Sequence, residues 1–565
     1  MQAGVLSPKY VYVSSGHGRI SWLFFEAVWL GPPCRQPNFI APKHAHLVSQ
    51  RNFEPLSGKR SRIDWGITIL LLVVFMIGIF WFTRGNRYPF FYDTEEAIRG
   101  MQEIGGTWDF HRPLLCAVTT KALKNVLHVS DSVQSVVELG RMVSAFFAVG
   151  SIVCLCLTAY FLGSATAAGF LALLLLCQHQ LFAVAHTMSE NSSLLFGASL
   201  VLLAIVLLEE RTTVARSLFL GVSVALAVSA KYIGILLIIP ALVAVLRSCQ
   251  SELRVNRVVE FVLGFLFVIL VVNFYAVTAL PLTTVDVLDD LGFALAHAPE
   301  GFKNLVHGNY WLILWRNTTP AIWIMIAASI WLFCVRWRRL RISEVLLGLI
   351  PLVYFLVLLF GPYGDLRFLP VVGFTYSFAI VGVASLAARI GRTREEVRGW
   401  LIPILFAICL AACFLEFLRG YPYYAAFNWD QRLEMLDWMD GNIPPGSQVF
   451  ADPSVLLPQL LGQSKQKHEF ALVSEKRLNM KEDQPKLDQL AVSGVNYVVV
   501  CQVDYQDLLT ATGASATSDD EPSNASKEFY RELFKRGTLL WERDPGPVQK
   551  LQPGLEIYRL PKNPG

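Results

Sequence analysis

The chain has 565 residues, of which 54% are hydrophobic and 16% are charged, and its mean hydropathy is +0.46. Soluble domains carry about 25% charged residues, so this composition excludes an ordinary soluble protein and predicts a polytopic membrane protein. The formal net charge of only +4 gives no bulk basic character, so we expect no nucleic-acid partner.

The first 62 residues are polar and basic, with eight Lys and Arg against two acidic residues. Their apolar piece, 20–30, contains Glu26 and is shorter than the roughly 20 residues that a membrane span needs. The segment fits neither a signal peptide nor a lipidation motif. We therefore interpret 1–62 as a disordered cytosolic tail, or as the product of a mis-assigned start.

Eleven apolar runs of spanning length follow, and they predict about eleven transmembrane helices within a membrane domain at 63–418. They lie at about 63–82, 139–161, 164–181, 188–208, 217–230, 232–247, 258–280, 319–337, 343–361, 368–388 and 400–418. Lys and Arg concentrate in the tail and in the connections 247–257, 336–341 and 389–398. Because cytoplasmic loops carry the excess of Lys and Arg, we expect these segments to be cytosolic. The first loop, 83–138, is then extracytoplasmic, as is everything after 418.

The composition of the sequence changes in the segment 419–565, which follows the last apolar run. An amphipathic helix pattern ended by "IPPG" is followed by the strand-like "SQVFAD" and "NYVVVCQV", with helical patterns between and after them. "TLLWERD" and "LEIYRL" read as closing strands. This alternation predicts a small α/β domain. The fold class is thus a polytopic α-helical membrane protein with a small C-terminal extracytoplasmic α/β domain.

Acidic residues collect in the first loop, in "YDTEEAIRGMQEIGGTWDFHRPLL" at 92–115. Asp93 and Glu96 have the spacing of a capping box, which needs no chemistry, and Glu95 faces Arg99 at i, i+4 on a helix. A carboxylate at the membrane face is also placed to act as general base toward an acceptor hydroxyl. His111 and Arg112 follow shortly after it.

Cationic and acidic side chains recur at the predicted extracytoplasmic ends of later spans: Arg141, Glu190, Lys231 and Arg367. Each alone is explained by snorkelling to the interface. Their convergence on the side of the acidic loop points to a phosphate or diphosphate leaving group, which Arg and Lys bind.

In order and spacing these elements resemble the GT-C glycosyltransferases, in particular the branch of protein O-mannosyltransferases and lipid A aminoarabinose transferases. The residues that carry the resemblance span about 85–375 and are "YDTEEAIRGM", "HRPLL", "ELGRMVSAFFAVGSI", "AHTMSENSSLLFGASLVLLAI", "AVSAKYIGILLIIPAL" and "GDLRFLPVV". The tail, with "LDWMDGNIPPGSQVFAD" and "GVNYVVV", is similar to the extracytoplasmic domain that many of these proteins carry.

The resemblance implies transfer of a sugar from a polyprenyl-phosphate donor to a glycan, lipid or protein acceptor, with inversion. A first-loop acid would be the base: Asp93 is favoured, with Glu95 and Glu96 as alternatives because "T-E-E-A" replaces the usual Asp-Glu-Ala. His111, Arg112, Arg141, Glu190, Lys231 and Arg367 would bind substrate. No cofactor is certain; an acidic pair can hold a divalent cation, although no further ligand accompanies it at suitable spacing.

Two other functions stay open. A transporter or flippase would favour charges and helix breaks within the spans and internal repeats. A non-catalytic scaffold would bind a partner through 419–565. The host membrane is the plasma membrane in a bacterium and the endoplasmic reticulum in a eukaryote.

Overall fold

The computed structural model describes the chain in blocks: 65–86, 99–100, 114–248, 251–279, 305–336, 340–358, 369–390, 395–427, 430–452, 471–472, 487–502, 524–546 and 552–561, with isolated positions within 284–303 and at 455, 505 and 509. These residues lie in one compact unit, Lys59–Gly565. The predicted tail 1–62 lies outside the described residues.

Helices make up the membrane part of the molecule. They are α1 Trp65–Thr83, α2 Leu115–Leu127, α3 Val133–Leu162, α4 Ala165–Cys177, α5 His179–Ala185, α6 Glu190–Glu210, α7 Val214–Ala230, α8 Ile238–Ser248, α9 Arg254–Val272, α10 Phe274–Thr278, α11 Asn309–Asn317, α12 Pro320–Arg336, α13 Ile342–Leu358, α14 Leu369–Ile390 and α15 Glu395–Ala426. Two 3₁₀ turns, Tyr232–Leu237 and Ser251–Leu253, precede α8 and α9.

Length and apolar composition mark six helical segments as membrane spans: Trp65–Thr83, Val133–Leu162, Glu190–Glu210, Arg254–Val272, Leu369–Ile390 and the part of α15 that begins at Ile402. Helices α4 and α5, bent by 63° at a break, make a seventh if they count as one span. Four shorter apolar helical segments coincide with the other predicted runs. The polytopic helical class is therefore confirmed and the chain is an integral membrane protein. The length criterion counts six or seven spans, against the eleven runs predicted.

Hydrogen bonds and ion pairs define the two ends of the helix bundle. At one end, Nη1 of Arg341 before α13 lies 2.9 Å from Oε1 of Glu210 at the end of α6. Thr212, beside Glu210, donates to the carbonyl oxygen of Ser248 at the end of α8 at 2.9 Å. At the other end the start of α6 meets the chain that follows α7, in the cluster described below. We call this second end the cluster end.

Glycines allow α7 and α9 to cross at close range. A Cβ added to Gly221 would overlap the carbonyl oxygen of Phe261, and one added to Gly264 would overlap that of Leu218. Small residues at such crossings let backbones approach, and van der Waals contact then holds helices together within a bilayer. The side chain of a larger residue has no space here.

Gly221→Ala is accordingly expected to destabilise the protein by about 1–3 kcal/mol, because the added methyl group forces two backbones apart. The matched control is Gly169→Ala on α4, since a Cβ there meets no atom within 4 Å. Thermal unfolding in detergent should show a lower Tm for the first variant alone. Equal melting temperatures for both variants would contradict the close crossing.

Beyond α15, helix α16 Gln431–Asn442 leads into a five-stranded sheet of order β2-β1-β3-β5-β4. The strands are β1 Gln448–Ala451, β2 Ala471–Leu472, β3 Val495–Cys501, β4 Thr538–Arg543 and β5 Leu555–Arg559. Strands β2, β1 and β3 are parallel, and β5 runs antiparallel to β3 and β4. Helices α17 Leu487–Val492 and α18 Asn524–Arg536 contribute side chains to a hydrophobic core that also contains Phe450 of β1. The predicted small α/β region is confirmed.

Candidate active site

An ion-pair cluster forms where α6 begins. Glu190 is the first residue of α6, and Ser189 caps the helix by accepting from the backbone N–H of Asn191. Oε2 of Glu190 lies 2.6 Å from Nη2 of Arg99, and Oε1 lies 3.8 Å from Nζ of Lys231. A carboxylate at a helix N-terminus interacts favourably with the helix dipole, which helps to hold Glu190 in place.

The two cations of this cluster have further partners. Nζ of Lys231, the residue after α7, donates to Oδ1 of Asn191 at 3.1 Å. The guanidinium of Arg99 also donates to the carbonyl oxygen of Met188. The side chains of Arg99, Glu190 and Lys231 are 14%, 19% and 30% exposed, so the cluster is largely shielded but keeps some exposed surface. Arg99, Glu190 and Lys231 are called the acid–base cluster below.

Two fully buried side chains, those of Arg141 and His186, hold the turn that follows α1. Nη1 of Arg141, on α3, donates to the carbonyl oxygen of Asn86 at 3.3 Å. Nε2 of His186, after α5, lies 2.7 Å from the carbonyl oxygen of Arg84. Gly85 between them has φ of 87°, which glycine adopts without strain. The predicted acidic loop thus starts from a turn that two other helices hold.

A second group of buried polar residues surrounds the break between α4 and α5. Nε2 of His179 lies 2.8 Å from Oδ1 of Asn317, and its Nδ1 lies 4.0 Å from Oε2 of Glu416. The hydroxyl of Tyr376 donates to Oε1 of Glu416 at 2.5 Å. Tyr424 donates to the carbonyl oxygen of Cys177, which the helix break leaves without its helical partner, at 2.7 Å.

Three of the predicted site residues fall among the described ones. Glu190 and Lys231 are in direct contact, as their convergence predicts, whereas Arg141 binds the neighbouring turn at Asn86. The remaining candidates lie outside the described residues: Asp93, Glu95, Glu96, His111, Arg112 and Arg367. Their roles stay predictions.

Sequence reasoning missed the buried group around Glu416. The signal was available, because an ionisable residue inside an apolar run is costly and seldom lacks a role. It also assigned Arg99 to Glu95 alone, whereas the described partner of Arg99 is Glu190. Within the described part of the chain, no three His, Cys, Asp or Glu side chains come together in a way that could hold a metal ion.

Comparison with known proteins gives one family match. Residues 126–275 match the family model for dolichyl-phosphate-mannose-protein mannosyltransferases. The match covers less than half of the chain, and it contains Arg141, Glu190 and Lys231. No curated protein sequence matches the chain.

Solved structures with a similar arrangement share little sequence with the chain. The apo oligosaccharyltransferase of Archaeoglobus fulgidus is 13% identical, with a TM-score of 0.48, over 86% of this chain and 81% of that one. ArnT from Cupriavidus metallidurans bound to undecaprenyl phosphate is 14% identical, with a TM-score of 0.44, over 88% and 98%. Arabinofuranosyltransferase AftD from Mycobacteria is 14% identical, with a TM-score of 0.40, over 87% and 41%. Through its family match, the predicted resemblance to the GT-C glycosyltransferases is confirmed: residues 126–275 are similar to the dolichyl-phosphate-mannose-protein mannosyltransferases.

Proposed function

We propose that this protein transfers a sugar from a polyprenyl-phosphate-linked donor to an acceptor hydroxyl at the extracytoplasmic membrane face, with inversion. The observation that carries the proposal is the acid–base cluster, which gathers two cations and a carboxylate at one end of the bundle. Glu190 and Lys231 lie within the segment that is similar to the mannosyltransferases, and Arg99 connects them to the acidic loop.

The general base in this proposal is a carboxylate of the first loop. Asp93 is favoured, and Glu95 and Glu96 are the alternatives. Chain connectivity supports this assignment. Arg99 is bound to Glu190, and three residues of extended chain span at most about 11 Å, so Glu96 is tethered near the acid–base cluster. The loop also departs from a fixed turn at Asn86.

The leaving lipid phosphate is stabilised by cations at the same end. Lys231 supplies an ammonium group 3.1 Å from Asn191 and 3.8 Å from Glu190, a geometry that directs its charge toward the start of α6. Arg and Lys side chains stabilise the charge that develops on a phosphate oxygen as the bond to the sugar breaks. His111, Arg112 and Arg367 complete the substrate-binding set of the proposal. Arg141 acts through the turn at Asn86 and is a positioning residue.

The opposite end of the bundle supports the proposed orientation. Basic residues collect there at helix ends: Arg211, Arg216, Arg247, Arg254, Arg257, Arg336, Arg341 and Arg389. Cytoplasmic loops carry such an excess, so the acid–base cluster belongs to the extracytoplasmic face, together with the domain after α15. The donor is then reached from the bilayer, and the acceptor is a glycan, lipid or protein on that face. The binding of a divalent cation by an acidic pair remains a prediction.

One observation favours a transporter instead. Helices α4 and α5 are a broken span, and a carboxylate with no exposed surface, Glu416, lies 4.0 Å from a histidine of the break. Discontinuous helices and buried charges of this kind form substrate sites in transporters. Uptake of a solute by proteoliposomes that show no sugar transfer would support this second function.

The proposed function is tested by mass spectrometry of lipid-linked sugars and surface glycans in cells with and without the gene. We expect a polyprenyl-phosphate sugar to accumulate and one glycan to lose a residue when the protein is absent. Asp93→Asn should reproduce this pattern, because loss of a general base lowers the rate about 10²–10⁴-fold. The variant should reach the membrane in normal amount.

Glu210→Gln, at the opposite end of α6, is the control and should leave both glycans and donor unchanged. Unchanged lipid-linked sugars in the deletion strain would refute the proposed function. Full activity in Asp93→Asn, Glu95→Gln and Glu96→Gln alike would refute the loop as the source of the base.

A further inference from the structure

A cavity of about 220 Å³ lies at the cluster end, between the last turn of α1, helix α5 and the end of α15. Its lining is mostly aromatic: Trp81, Arg84, Phe182, Tyr421, Tyr424 and Ala425. The Trp81 and Tyr424 rings touch at a centroid distance of 5.0 Å, and those of Phe182 and Tyr424 at 4.5 Å. Rings packed edge to face in this way form rigid walls.

Two of the lining side chains, Arg84 and Tyr421, are exposed, so the cavity opens to the surface of the bundle. Helices α1 and α15 both expose large apolar side chains near it, among them Phe80, Phe417, Leu418 and Tyr421. In an integral membrane protein such surfaces face the hydrocarbon of the bilayer. Trp and Tyr near the ends of spans sit at the level of the lipid headgroups. Arg84, one turn beyond Trp81, is exposed and lines the same cavity.

On one side of the cavity, Phe182 packs against further buried rings. The ring of His186 stacks on Phe182 at 4.1 Å and lies 4.5 Å from the ring of Phe427. All three side chains are buried. Both ring nitrogens of His186 lie within 2.8 Å of carbonyl oxygens, those of Phe182 and Arg84, so the ring is fixed. The lining of the cavity includes neither Glu190 nor Lys231.

We propose that this cavity binds a phospholipid of the bilayer, with its phosphate on the Arg84 guanidinium and its apolar part against Trp81, Phe182 and Tyr424. The cavity is smaller than the roughly 300–1,000 Å³ of pockets that enclose whole ligands, so it holds part of a larger molecule. The remainder lies along the exposed faces of α1 and α15. Arg binds phosphate oxygens with two parallel N–H donors, which gives the headgroup a defined position.

Such a lipid has a structural consequence near the candidate site. It contacts the turn at Arg84, whose carbonyl oxygen is held by His186, and the acidic loop begins just after this turn. The bound phospholipid would stabilise the start of that loop without reacting. The proposal is independent of the proposed function, because it concerns a lipid that remains chemically unchanged.

The test is lipid retention. The full chain is reconstituted in nanodiscs of equal parts phosphatidylglycerol and phosphatidylcholine, extracted into detergent, stripped by washing and weighed by native mass spectrometry. We expect one phospholipid to stay bound to the unmodified protein. Arg84→Gln should bind it at least about tenfold more weakly, because the charge-assisted hydrogen bonds of the guanidinium to phosphate are lost. Arg84→Lys, which keeps the charge but not the two-pronged geometry, should fall between them.

Arg389→Gln removes an exposed arginine at the opposite end and is the matched control, so its retention should equal that of the unmodified protein. Equal retention in Arg84→Gln would overturn the proposal. Exclusive retention of added polyprenyl phosphate would also overturn it and make the cavity a donor site. Arg84-dependent thermal stabilisation by inorganic phosphate alone, with no lipid retained, would assign the site to a free anion and overturn it as well. None of these readouts requires sugar transfer.

Discussion

Glu190→Gln should lower sugar transfer by about 100-fold or more while the protein still folds. Glu190 contacts both cations of the acid–base cluster, and its loss leaves Arg99 and Lys231 without the charge between them. Glutamine keeps an oxygen that accepts from Arg99, so the hydrogen bond persists in weakened form. The contact of Arg99 with residue 190, which ties the first loop to α6, then shifts. A displacement of about 1 Å at a reacting group costs roughly 100-fold in rate.

The stability cost of the same change is expected to be smaller. Breaking a fully buried ion pair costs about 3–5 kcal/mol, but these side chains are partly exposed, so solvent screening reduces the loss to about 1–2 kcal/mol. Turnover of a radiolabelled lipid-linked sugar and thermal unfolding in detergent measure the two effects separately. Loss of activity in step with loss of folded protein would contradict a role in catalysis.

Glu210→Gln serves as the matched control because Glu210 ends the same helix and pairs with Arg341 at 2.9 Å. That pair is about one-third exposed on each side and lies at the opposite end of the bundle. Exposed pairs contribute about 0–1 kcal/mol, so neither activity nor Tm should change appreciably. A loss of transfer in Glu210→Gln equal to that in Glu190→Gln would show that the helix, and not the cluster, is what matters.

The membrane architecture was predictable because the bilayer imposes it. A span must satisfy its backbone within the helix and match the hydrocarbon thickness, so an apolar run coincided with each of the apolar helical segments of spanning or near-spanning length. Short helices such as Leu115–Leu127 and Asn309–Asn317 lay outside the predicted runs. Glu190 and Lys231 were found for the same reason, since charge at a span end stands out against an apolar background. The break at Gln178 was not predicted, because periodicity does not reveal a 63° bend.

Contacts between distant parts of the chain could not be predicted from the sequence. Arg99 and Glu190 are 91 residues apart, and nothing in either stretch points to the other. Helical spacing pairs Arg99 with Glu95, and that local rule hid the long-range partner. In the last domain, alternation of helix and strand predicted an α/β fold. The order β2-β1-β3-β5-β4, with β5 antiparallel, depends on packing that no local pattern contains.

Tyr376→Phe should destabilise the protein by about 1–3 kcal/mol. The Tyr376 hydroxyl donates to Glu416 at 2.5 Å and lies 3.2 Å from the carbonyl oxygen of Asn317. Glu416 has no exposed surface, so the loss of its donor leaves a buried acceptor oxygen unsatisfied, which costs about 1–3 kcal/mol. Thermal unfolding in detergent measures the loss.

Tyr354→Phe is the matched control for this pair of residues. Tyr354 is 5% exposed, and its hydroxyl finds no hydrogen-bond partner among the described residues. Removing an unpaired buried hydroxyl is neutral or stabilising, so the same chemical change should leave Tm unchanged or raise it. In one variant the lost hydroxyl has Glu416 and the carbonyl oxygen of Asn317 as partners, and in the other it has no partner among the described residues. Equal destabilisation of both would show that lost volume, and not the carboxylate network at the α4–α5 break, sets the stability of this region.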